Sequence, residues 1–142
     1  MTQTVLLDTH IALWLDSGNQ RLKPSTRNLI DSCWQGGGSI LISAVTVWEI
    51  ALLVDCGRIH LDQPVDVWLD RFTSLPGVET VPLDPIAAAR AYHLQGLEHR
   101  DPGDRLLIAT AIQMSCPLIT YDDRIGRFAE RYGTEYGFTA QF

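Results

Sequence analysis

Apolar residues along this chain follow two rhythms. Short strand-like runs rich in apolar residues recur at Thr4 to Leu7, Ser39 to Ile42, Val78 to Val81 and Leu118 to Thr120, with a weaker one at Tyr136 to Ala140. Each has the length of a strand covered on both faces. Between the runs, apolar residues recur at helical spacing. That spacing predicts helices at Ile11 to Asp16, Pro24 to Trp34, Ala44 to Asp55, Val65 to Leu75, Pro85 to Gln95, Arg105 to Ser115 and Arg124 to Tyr132. Their ends carry the expected punctuation: Pro24 in a first turn, Ser43 and Asp84 as N-caps, and Gly57, Gly96 and Gly133 as stops. The β-α-β-α alternation predicts one domain over residues 1–142. It is an α/β fold, a three-layer α/β/α sandwich with a central parallel sheet of about four to five strands. Gly36-Gly37-Gly38 lacks the GK[ST] of a phosphate loop and reads as a turn.

Within the third helix, Val45, Trp48, Leu52 and Leu53 recur at core-facing spacing. Glu49 then lies near the apolar stripe, where a carboxylate is costly without compensation. Trp14, Trp48, Trp68 and Phe72 read as helix-packing residues. Val67, Trp68, Phe72 and Leu75 make an apolar helix face that, with Ile50 to Val54, offers a groove for a partner helix.

In an open parallel sheet, ligands bind beyond the carboxyl ends of the strands. Asp8 stands at the end of the first apolar run, and Asp122 and Asp123 follow the fourth. Asp101 and Asp104 open the helix in "HRDPGDRLLIATA". Each acid alone could cap a helix or face solvent. Several converging on one edge would repel one another. A bound Mg2+ or Mn2+ resolves that repulsion and suits attack of water at phosphorus. Thr9 adjoins Asp8 and can orient it or cap the next helix. His10 reads as a packed or surface imidazole. Arg100 and Arg105 flank the acids and can grip phosphate or pair with Asp101 or Asp104.

Charge and cysteine usage narrow the options. Eleven Lys and Arg against 17 Asp and Glu give a net charge of −6. That argues against a basic nucleic-acid sheath but not against an enzyme that meets phosphate through cations. The cysteines, Cys33, Cys56 and Cys116, are far apart and read as buried reduced thiols, consistent with a cytoplasmic protein. No apolar run approaches the roughly 18–20 residues needed to cross a bilayer, and the N-terminus does not read as a signal peptide.

The order LLDTH, ISAxTxWEI, HRDPxDRLLIA and LITYD resembles the PIN-domain ribonucleases, and among them the VapC-type toxins of toxin–antitoxin pairs. The likeness covers nearly the whole chain. It implies a PIN-like sandwich, Mg2+-dependent RNA cleavage, a cognate antitoxin and frequent homodimers. By this resemblance the catalytic, metal-holding acids are Asp8, Glu49, Asp104 and Asp122, with Asp101 and Asp123 as weaker substitutes. Gly103 stands where relatives often carry an aromatic, a departure expected to loosen the loop bearing Asp101. Two alternatives remain open: an inactive PIN-like binding protein, and an aspartate-dependent phosphatase. The second usually wants an acid at position 10, where this chain has His10.

Overall fold

The computed structural model describes residues 3–97 and 101–142. Five strands, β1 (Thr4–Leu7), β2 (Ser39–Ser43), β3 (Val78–Val81), β4 (Leu118–Ile119) and β5 (Ala140–Gln141), form one sheet in the order β3-β2-β1-β4-β5. Every pairing is parallel. The connections run through α1 (Thr9–Ser17), α2 (Pro24–Gln35), α3 (Ala44–Asp55), α4 (Val65–Thr73), α5 (Pro85–Tyr92), α6 (Pro102–Met114) and α7 (Asp123–Tyr136).

Alternation along the strands sorts the side chains into two cores. Val5, Leu7, Ile40, Ile42 and Ile119 face Ile11, Ile30, Ile50, Trp68 and Phe72 of α1 to α4. Leu6, Leu41 and Leu118 face Leu107, Ile108, Ile125 and Phe128 of α6 and α7. Small residues, Ala87, Ala91 and Ala109, bring α5 onto α6. The three-layer sandwich expected from the sequence is therefore present. Trp68 stacks on Phe72 with ring centroids 5.0 Å apart. Its Nε1 donates to Asp16 at 2.9 Å, and Arg71 binds the same carboxylate, so α4 is tied to α1.

Gly38 ends the three-glycine connector, which is a turn as expected. A methyl group there would run into the Gln3 carbonyl oxygen and into Cys33. These neighbours are backbone and core, so neither can retreat. Gly38→Ala is expected to lower stability by about 3 kcal/mol or more, read as a lower urea midpoint.

Several boundaries and faces differ from expectation. The run at Tyr136 to Ala140 is not a strand: α7 continues through Gly133 to Tyr136, and β5 begins at Ala140. Gly133 lies inside α7 because a side chain there would meet the Phe138 carbonyl where the chain folds back. The αL stop is Gly137. α5 ends at Tyr92, short of Gly96, and α6 begins at Pro102, three residues before Arg105. On α3 the inward residues are Val45, Thr46 and Ile50, whereas Trp48 is 66% exposed and Leu52 44%. The expected partner groove does not form as drawn. Trp68, Phe72 and Ile50 are core, which leaves Val67 and Leu75 at the surface. Cys33 and Cys116 are buried, but Cys56 is exposed.

Candidate active site

β2 and β3 lie on one side of β1, and β4 and β5 on the other. The junction between β1 and β4 is thus the switch point of the sheet, where a crevice opens beyond the strand ends. Asp8 follows β1 directly and is the N-cap of α1. Its Oδ1 accepts from the Thr9 N–H at 2.7 Å. Its Oδ2 accepts from the Thr120 hydroxyl at 2.7 Å. That hydroxyl oxygen also accepts from the Asp122 N–H at 3.1 Å. Thr120 therefore clasps the two neighbouring strand ends together. Asp122 caps α7, accepting from the N–H groups of Arg124 at 2.8 Å and Ile125 at 3.2 Å.

Glu49 comes from the second turn of α3. The Thr9 hydroxyl donates to its Oε1 at 3.0 Å and lies 3.3 Å from the Thr46 hydroxyl. Thr9 thus holds Glu49 through its side chain and meets Asp8 only through its backbone. Asp104 sits in the first turn of α6, half-buried. Asp101 is the exposed N-cap of that helix, accepting from the Gly103 N–H at 2.9 Å and the Asp104 N–H at 3.4 Å. The first turn of α6 is therefore capped, and the loop leading into Asp101 lies outside the described residues. A methyl on Gly103 would stand 3.1 Å from Glu49 Cδ and 3.2 Å from Asp101 Oδ1. The bare backbone leaves that cradle clear.

Burial and mutual repulsion act on these acids together. Loss of water pushes the Asp8 and Glu49 carboxyls up, and in each case a neighbouring acid adds to the rise. Asp104 is pushed up to about 7, first by burial and then by the charges of Asp8, Asp101, Asp122 and Glu49. The four sequence-predicted acids are thus within electrostatic reach of one another, brought from β1, α3, α6 and the β4–α7 junction. Among the described residues, no three acids, histidines or cysteines are closed tightly enough to enclose a metal ion. Asp123 is exposed on α7 and is not among the charges acting on Asp104.

Arg105 Nη1 donates to the carbonyls of Ala91 at 3.2 Å and Leu94 at 3.0 Å, at the end of α5. That use ties one nitrogen of the guanidinium to the end of α5. Arg100 lies outside the described residues. Sequence reasoning missed Thr46 and Thr120, both fully buried hydroxyls. A polar residue closing an apolar strand was the available signal for Thr120.

Together, fold and site define a parallel α/β/α domain with acids gathered at its switch point. The chain belongs to the PIN domain family, whose profile matches residues 5–131. It is 36% identical over 122 residues to the ribonuclease VapC22 of Mycobacterium tuberculosis, covering 86% of this chain and 89% of that one. Its fold is similar to that in the VapBC2 complex of Rickettsia felis bound to a DNA fragment from their promoter, with TM-score 0.68, 17% identity and 98% of each chain covered. It is also similar to that of FitAcB from Neisseria gonorrhoeae, with TM-score 0.60, 21% identity and coverage of 97% and 96%. Among the described residues, no helix is long and apolar enough to cross a membrane.

Proposed function

We propose that this chain is a divalent-metal-dependent endoribonuclease and the toxin of a toxin–antitoxin pair. The observation that carries the reading is the gathering of Asp8, Glu49, Asp104 and Asp122 at the sheet's switch point. The identity to a named ribonuclease VapC supports it.

The donor set fits Mg2+ or Mn2+. It offers only hard carboxylate oxygens, at half-buried positions, with the Gly103 cradle open beside Glu49. Asp8, Glu49, Asp104 and Asp122 would hold the ion, which when bound supplies charge neutralisation and activation of water for attack at phosphorus. The chain's own contribution is placement. Thr120 fixes the rotamer of Asp8, Thr9 fixes Glu49, and the caps of α1 and α7 orient Asp8 and Asp122. Drawing these oxygens inward costs repulsion that the cation offsets. The same reading makes the whole chain one PIN domain, gives it a cognate antitoxin and a homodimeric form, and sets it to work in the cytoplasm. The solved VapBC2 complex supports the antitoxin partner.

Purified protein incubated with a mixed small-RNA pool is expected to give discrete fragments with Mg2+ and none with EDTA. Folded protein that leaves the pool intact in Mg2+ and Mn2+ would overturn the reading.

A further inference from the structure

A ladder of aromatic rings starts two residues after Asp8 and ends one residue before Asp122. His10 and Trp14, one turn apart on α1, have ring centroids 5.7 Å apart, and Trp14 lies 5.9 Å from Tyr121. The ladder is rigid at its far end. The Tyr121 hydroxyl accepts the Lys23 backbone N–H at 3.0 Å and lies 2.6 Å from the Thr26 hydroxyl. Lys23 Nζ stands 4.8 Å over the Tyr121 ring. Trp14 and Tyr121 pack by one side against the core that holds Trp68 and Phe72, but that packing leaves the outer part of the ladder unused. His10 is exposed, and Trp14 and Tyr121 are only half-buried. The rings are tilted by 52° and 39°, so their faces are not spent on each other.

A partly exposed aromatic surface with a cation over its Tyr121 end, beside a site for phosphate chemistry, suits an unpaired nucleobase at His10 and Trp14. Every base has a π-face, and the cation answers the adjoining phosphate. In a chain of net charge −6, a lysine beside such a surface is not generic basicity.

We propose that His10 and Trp14, backed by Tyr121 under Lys23, form a stacking subsite for one unpaired base of RNA next to the acidic site. The proposal rests on the ribonuclease reading above and deepens it by naming the side chains that would hold one base beside the cut.

The test measures affinity for short single-stranded RNA oligonucleotides in Ca2+ by fluorescence anisotropy. Oligonucleotides carrying one abasic site at each position in turn are compared with the intact strand. In the parent protein, one abasic position is expected to weaken binding roughly tenfold. That penalty should vanish in Trp14→Leu and shrink in His10→Ala, while Trp34→Phe on α2 keeps it in full. His10 is exposed, so its variant remains informative if Trp14→Leu fails to fold. An abasic penalty of equal size in parent and His10→Ala, or no penalty at any position, would overturn the subsite. Cleavage of the intact strand in Mg2+ is scored separately. Cleavage without base-dependent binding overturns the subsite alone, whereas base-dependent binding without cleavage overturns the ribonuclease reading and leaves the subsite standing.

Discussion

Asp8→Asn is expected to lower RNA cleavage on the order of 10³-fold or more, the scale of removing one preorganised electrostatic group from an active site, with the fold intact. The amide oxygen can still accept the Thr9 N–H, so the cap of α1 survives. What is lost is the anionic Oδ2 now held by the Thr120 hydroxyl. An amide nitrogen there brings no charge to a cation, and the Thr120 hydroxyl must turn to accept from it. Circular dichroism should match the parent while fragments disappear from the RNA pool. Parent-like cleavage by the folded variant would remove Asp8 from the site.

Asp104→Asn separates stability from activity. In the folded chain the Asp104 carboxyl keeps its proton up to about 7, against an ordinary value of 3.8. Between those values the folded state holds a proton that the unfolded chain has released. The metal-free protein is therefore most favoured, through this group, at low pH. It loses stability as pH rises through about 7 and then levels off. Asp104 is partly open to solvent, so the loss is discounted to on the order of 2 kcal/mol. Removing the charge should raise the metal-free Tm at pH 8 by roughly 5 °C and leave it almost unchanged at pH 4. The same substitution should abolish cleavage and the stabilisation by Mn2+ that the parent is expected to show at pH 8. Calorimetric scans at the two pH values, with and without Mn2+, make the comparison. A variant less stable than the parent at pH 8 without metal would show that repulsion does not govern Asp104.

Strands β1, β2 and β4 were legible because each is a short apolar run buried along most of its length, too short for a helix, whereas β3, VETV, is a half-exposed edge strand whose two valines mark its ends. The C-terminal region misled because Gly133 looks like a stop. The better signal was the spacing of Phe128, Tyr132 and Tyr136, which pack on one another along α7. In α3 the sequence is apolar almost all round, so composition does not reveal which stripe turns inward. Only packing against the sheet leaves Trp48 outside. At the site, Asp8 and Asp122 were visible as carboxylates ending strands, Asp104 as one opening a helix, and Glu49 as a carboxylate beside an apolar helix stripe. Their supports were not, because Thr9 reaches Glu49 across 40 positions and Thr120 reaches Asp8 across 112. Hydroxyl contacts of that separation leave no local trace. Asp101 caps α6 and Asp104 feels the other acids, but Asp8 and Asp122 are caps too, so capping alone does not separate the pair.

Capping divides the acids into two kinds. Asp8, Asp101 and Asp122 each hold the first turn of a helix, whereas Glu49 stands in mid-helix and Asp104 within a turn that Asp101 already caps. Replacing a capping acid with alanine costs about 1 kcal/mol; replacing Asp104 relieves repulsion, and replacing Glu49 does so while giving up the Thr9 hydrogen bond. In a random-mutagenesis screen for cells that survive expression of this protein, full-length, abundant survivors should therefore cluster at codons 49 and 104. Lesions at codons 8 and 122 should more often bring poor accumulation as well. The helix starts give the site an uneven mutational landscape, in which the easiest routes to harmlessness leave a more robust protein behind.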